Sequence, residues 1–182
     1  MKILITGFEP WGKVRRNPSG EAARALGGHV LPVSYCRAGR EISRLIRTTR
    51  PDAIVMLGLA EGRKKIGLEA VALNVDHCEG RPPWRRWRRR ILKGPLARGT
   101  RLPIDRIHRR LRAARFPVAV SHSAGTFVCN HVFTVALARS RVPCGFIHVP
   151  PARVFPARRL VRAVRLILET LAVRTGRGVT IV

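Results

Sequence analysis

Short, continuous apolar runs alternate along this chain with segments whose apolar residues recur at helical spacing. That alternation constrains the fold more than any other feature, because strands interleaved with helices of 10–15 residues build a mostly parallel sheet covered on both faces. KILIT (2–6), HVLPVSY (29–35), AIVMLG (53–58), IGLEAVALN (66–74), FPVAVS (116–121) and GFIHV (145–149) read as strands, with Pro32 placing the second at an edge or bulge. Helices are expected over 20–26, with Ser19 as a possible N-cap, and over 39–49, 103–113, 126–139 and 156–173. No internal repeat and no linker interrupts the pattern. The expected architecture is α/β: a three-layer α-β-α sandwich around a mostly parallel, twisted sheet, with residues 1–182 forming a single domain.

Composition narrows the function classes. No apolar run approaches the roughly 20 residues that span a bilayer. The opening MKILITGFEP is too short and wrongly flanked for a secretory signal, so a cytoplasmic protein is expected. Cys36, Cys78, Cys129 and Cys144 show no C-x-x-C spacing, which argues against a disulfide framework and against a metal cluster. Nothing in the sequence calls for a metal or an organic cofactor. The formal net charge is +26, and only five of the 36 basic residues are lysines. Such a field attracts nucleic acid without sequence preference. The arginines are nevertheless spread along most of the chain, as a solvated surface with a general arginine bias would have them. RPPWRRWRRRILKG (81–94) is the one local anomaly and reads as a surface loop, whose Trp84 and Trp87 among arginines could stack on bases or sit at a membrane surface.

The stretch SHSAGTFVCNHVF (121–133) carries the chemistry. Small residues 123–125 permit a sharp turn, Ser123 or Thr126 can cap the following helix, and Cys129 falls in its first turn. Unpaired N–H groups there favour a thiolate and can hold an oxyanion, which leads one to expect a lowered thiol pKa. A small buried apolar residue is the alternative for Cys129. His148 lies at the C-terminal end of a strand, the edge where an α/β unit also places the helix N-terminus, so thiol and imidazole can meet. Glu69 interrupts an otherwise apolar strand; it either orients that imidazole or faces solvent on an edge strand.

These residues sit in segments that carry a resemblance. ILITGFEPWG followed by NPS, then LEAVALN, GPLARGTRLPID, SAGTFVCN and GFIHVP, in the family's order over about residues 1–150, make the chain similar to the pyroglutamyl peptidase I (pyrrolidone-carboxylate peptidase) family of cysteine peptidases. The resemblance implies hydrolysis of an N-terminal pyroglutamyl residue from peptides through a thioester. Cys129 is then the nucleophile, His148 the general base and acid, and Glu69 the residue that orients the imidazole. Phe8 and Trp11 match the aromatic clamp on the lactam ring, Phe127 and Val128 its pocket wall, and Asn17 the asparagine of the N-terminal motif. Similar enzymes are often homotetramers. NVDHCEG is shorter than the corresponding family loop and lacks its arginine, and Leu59 replaces a glutamine frequent in the family. Two other functions remain open from sequence: a basic nucleic-acid-binding protein on the same fold, and a related amidohydrolase for another small acyl group. The lowered thiol also implies that iodoacetamide modifies Cys129 ahead of the other cysteines.

Overall fold

The computed structural model describes residues 1–77, 90–172 and 178–182. Chain order runs β1 (Lys2–Phe8), α1 (Pro18–Ala25), β2 (His29–Leu31), α2 (Tyr35–Thr49), β3 (Ala53–Leu59), β4 (Ile66–Glu69), β5 (Val71–Leu73), β6 (Ala97–Gly99), α3 (Ile104–Ala113), β7 (Val118–Ser121), α4 (Val128–Arg139), β8 (Cys144–Val149), α5 (Ala157–Ala172) and β9 (Thr180–Ile181). The main sheet has the order β2-β1-β3-β8-β4-β7, and β9 joins β1 below β2. β5 and β6 form a separate antiparallel ribbon.

Strand alternation divides the core into two layers. Ile3, Ile5, Val55, Leu57, Ile147 and Val149 face α1, α3 and α5, while Leu4, Phe8, Ile54, Met56, Cys144 and Phe146 face α2 and α4. The expected three-layer sandwich is therefore present. Its sheet is mixed, however. β2, β1, β3 and β8 run parallel, whereas β4 is antiparallel to β8 and carries β7 with it. An apolar strand looks the same in either direction, so sequence alone left this open. The consequence is topological: β7 does not point toward the rim where α4 begins, and residues 122–127 carry the chain back across the sheet.

Other boundaries shift for local reasons. Asn17, not Ser19, caps α1: its side-chain oxygen accepts from the Ser19 N–H at 3.1 Å, and Pro18 takes the first helical position, where its missing N–H costs nothing. Pro32 stops β2 after three residues, and α2 starts four residues earlier than its apolar face suggests. The run 66–74 is broken at Ala70, which separates β4 in the main sheet from β5 in the ribbon. Trp84, Trp87 and Cys78 lie outside the described residues. Among the described residues no helix is long and apolar enough to cross a membrane.

Candidate active site

The C-terminal ends of the parallel strands β1, β3 and β8 bring Phe8, Leu59 and His148 to one rim, where a cavity of about 530 Å³ opens. Such a rim is where open α/β sheets hold their ligands. Trp11, Asn17, Glu61, Ala124, Phe127, Val128 and Cys129 complete much of its wall. Every proposed substrate-contacting residue, together with Cys129 and His148, thus opens onto one volume of a size suited to a small ligand.

Cys129 enters from the start of α4. The N-cap is Phe127, in an extended conformation with no side-chain hydrogen bond to the helix; neither Ser123 nor Thr126 takes that place. The Ser123 hydroxyl instead accepts from the Gly125 N–H at 3.1 Å, and the Thr126 carbonyl accepts from the His77 N–H at 2.7 Å. The helix entrance is therefore braced by the loop, while its first-turn N–H groups have no side chain closing over them. Asn130, the next residue, is buried and stitches α4 to β5. Its oxygen accepts from the Leu73 N–H at 2.8 Å, and its NH2 donates to the carbonyls of Leu73 (2.7 Å) and Val75 (3.0 Å).

The sulfur rests over β3. A Cβ at Gly58 would lie 2.9 Å from Sγ and 2.6 Å from the Phe146 ring, so only glycine leaves room for both. Gly58 is the register partner of His148 on β8, which places the sulfur above the strand position beside the imidazole. Cys129 is half-buried, open to the cavity on one side and packed on the other. Burial pushes its thiol up to about 12 despite the help of its own backbone N–H, and the Glu69 carboxylate adds to the rise. The lowered thiol expected from the helix start is thus corrected: desolvation outweighs the N–H groups, and the resting group is a neutral S–H.

Glu69 is fully buried at the end of β4, not solvent-facing. Its Oε1 lies 2.7 Å from His148 Nδ1, closing the gap between adjacent antiparallel strands in which Gly67 pairs with His148 and Glu69 with Phe146. A carboxylate only accepts, so Nδ1 carries the hydrogen and the other ring nitrogen, Nε2, is left as the acceptor. The Phe146 ring, 5.0 Å from the imidazole, walls the pair on the β8 side. One partner was missed by sequence reasoning. Arg63, in the β3–β4 connection, reaches the same Oε1 through Nη1 at 2.8 Å and donates from Nη2 to the Ser121 hydroxyl at 3.0 Å. The available signal was Gly67, two residues before Glu69 and hence on the same strand face.

The aromatic wall differs residue by residue. Phe8 is buried and packs at 6.4 Å from Phe146, whereas Phe127 is 55% exposed and lies tilted against His77, ring centres 4.8 Å apart. Trp11 opens a tight turn closed by the Val14 N–H bond to its carbonyl, at 2.8 Å. Asn17 spends most of its amide on structure. Besides capping α1, it donates to the Glu9 carbonyl at 3.0 Å and so hangs the Glu9–Trp11 loop from the helix. Among the described residues no three His, Cys, Asp or Glu side chains gather as a metal site would need.

A model of the pyroglutamyl peptidase family matches residues 1–160. The chain belongs to the pyroglutamyl peptidase family. Among its relatives, the pyrrolidone-carboxylate peptidase of Chromobacterium violaceum is 42% identical over 163 residues, 81% of this chain and 77% of the relative. That of Thermococcus onnurineus is 41% identical over 170 residues, 82% and 84% of the two chains. The solved pyrrolidone carboxyl peptidase of Thermus thermophilus superposes with a TM-score of 0.83 at 36% identity, covering 92% of this chain and 99% of its own. Pyroglutamyl peptidase I of Bacillus amyloliquefaciens gives 0.84 at 30% identity, covering 94% and 95%. Membership of the pyroglutamyl peptidase family makes the chain a peptidase-type hydrolase and favours neither alternative function.

Proposed function

We propose that this chain removes N-terminal pyroglutamyl residues from peptides, with Cys129 as nucleophile, His148 as general base and acid, and Glu69 as the residue that orients the imidazole. The observation that carries this reading is the shared cavity: a thiol at an uncapped helix start opens onto the same volume as an imidazole whose Nδ1–H is held 2.7 Å from a buried carboxylate. In the forward reaction, Nε2 of His148 takes the thiol proton as sulfur attacks the carbonyl of the scissile amide. The oxygen becomes an anion, stabilised by N–H groups of the first turn of α4. As the C–N bond breaks, His148 returns the proton to the leaving amine, and a thioester remains. Water then attacks with His148 again as base, releasing the free acid and the thiol. A thiol that starts neutral makes this base indispensable.

The lactam ring would lie between Phe8, Trp11, Phe127 and Val128, an apolar slot suited to a small neutral ring. Asn17 retains one amide hydrogen beyond those engaged by the loop and is the polar group proposed to recognise it. The enzyme acts as a single cytoplasmic domain, assembled as a homo-oligomer. A fluorogenic pyroglutamyl amide tests the reading: release should be abolished to background by Cys129→Ala, with the fold unchanged by circular dichroism. Release that survives the substitution, or that occurs only from a different acyl amide, overturns it.

A further inference from the structure

We propose that Arg63 is a positioning residue for the Glu69–His148 pair, holding the carboxylate in place by passing its guanidinium over the side-chain-free face of Gly67. The inference rests on the peptidase reading above and adds a group that does not touch the reacting atoms. Three observations carry it. Arg63 Nη1 and His148 Nδ1 converge on one oxygen of Glu69, at 2.8 and 2.7 Å. Oε2 of the same carboxylate is buried without a hydrogen-bond partner, so all of its anchoring comes through Oε1. A Cβ at Gly67 would come within 1.9 Å of Arg63 Nη1, so the path of the guanidinium is open only because that residue is glycine.

The second arm of the guanidinium fixes the geometry. Nη2 bonds the Ser121 hydroxyl at 3.0 Å, and Ser121 is the register partner of Glu69 on β7. Arg63 therefore spans from one strand to its neighbour, with the carboxylate held between guanidinium and imidazole. A forked, planar donor suits this better than a single ammonium. Electrostatics give the arrangement a purpose. A fully buried carboxylate is costly unless paired, and one facing only a neutral imidazole would either take up a proton or hold the imidazole's proton too tightly. Among the described residues, the charged and titratable groups around His148 are Glu69 from β4, Arg63 and Glu61 from the β3–β4 connection, Cys129 from α4, and Tyr35 from α2 across the cavity. Arg63 is the cation among these described groups.

The test compares parent, Arg63→Met, Arg63→Lys and Gly67→Ala, each checked for folding by its urea midpoint. With a pyroglutamyl amide, Arg63→Met should lower kcat roughly ten- to hundredfold while KM stays within about twofold. The acid limb of its kcat/KM profile should move to higher pH by about one unit, because the unscreened carboxylate holds the imidazolium. Arg63→Lys should recover part of kcat and return the limb toward that of the parent. Gly67→Ala, which displaces the guanidinium but keeps its charge in the chain, should lose kcat without matching the full shift. A second readout needs no substrate: at about pH 9, above the acid limb where the imidazole is neutral in parent and variant, iodoacetamide labelling of Cys129, followed by peptide mass, should slow by roughly tenfold in Arg63→Met as the Glu69 charge acts unscreened on the thiol. An unmoved acid limb, an Arg63→Lys no better than Met, or unchanged labelling overturns the proposal. If the parent itself releases no pyroglutamate, the peptidase reading fails, and the labelling comparison still decides the role of Arg63.

Discussion

The Cys129 thiol is held protonated by its surroundings, and this changes what should be expected of its chemistry. From the sequence, a helix start suggested a thiolate ready to react; its backbone N–H does pull the pKa down, but burial and the nearby Glu69 charge pull harder in the other direction, to about 12. For a thiol whose pKa lies that high, the ionised fraction climbs tenfold with every pH unit across the whole neutral and mildly alkaline range. Inactivation of the substrate-free enzyme by iodoacetamide should accordingly accelerate steadily between about pH 6 and 9, close to tenfold per unit, with no plateau. Mass mapping must separate this from the exposed Cys36, which should be labelled first: the order expected from a lowered Cys129 thiol is reversed, because burial raises that thiol. A plateau of Cys129 labelling near neutrality would reveal a preformed thiolate–imidazolium pair and contradict the neutral resting state. Cys144, also pushed up to about 12 but fully buried between the sheet and the helices that cover it, should remain unlabelled in the native protein.

At the level of elements, α4 has an open start and a closed end. Arg101 donates to the carbonyls of Leu137, Ser140 and Val142, at 3.2, 2.8 and 3.0 Å, satisfying the last turn and placing a cation at the negative pole of the helix. Near the other pole Asn130 replaces the pairing that Leu73 and Val75 would otherwise lack. Asn130→Ala strands these buried backbone groups and should lower unfolding free energy by about 1–3 kcal/mol, read from the urea midpoint at constant m-value. A midpoint within error of the parent would mean that water takes over the bonds. The long apolar runs of β1, β3 and β8 and the amphipathic face of α5 were legible because each buries a continuous surface. β6 and β9, of three and two residues, were not, because their pairing is set by partners distant in sequence. The break at Ala70 escaped notice because apolar alternation runs through it unbroken. For the site, Cys129, His148 and Glu69 announce themselves as reactive or polar groups in apolar segments. Arg63 does not, being one arginine among many until the gap at Gly67 shows where it points.

At the scale of the whole molecule, a net charge of +26 is opposed, among the described residues, by few ion pairs, which include Arg16–Glu21, Arg44–Glu41 and Arg110–Glu169 on the surface. Self-repulsion should outweigh these exposed pairs, which water and salt largely screen. The urea midpoint should therefore rise when sodium chloride is increased from about 20 to 300 mM, as the screening length falls to below roughly 10 Å. A falling midpoint would assign the surface pairs the larger share. The change of direction between β8 and β4 has a consequence of its own. His148 and Glu69 stand on either side of that seam, so the gap between imidazole and carboxylate is set by the spacing of two hydrogen-bonded backbones. The number of residues in the excursion between Ala70 and Val142 does not by itself set that distance. A slip of β4 by one residue, in contrast, would turn the carboxylate to the opposite side of the sheet and leave the ring with nothing to hold it.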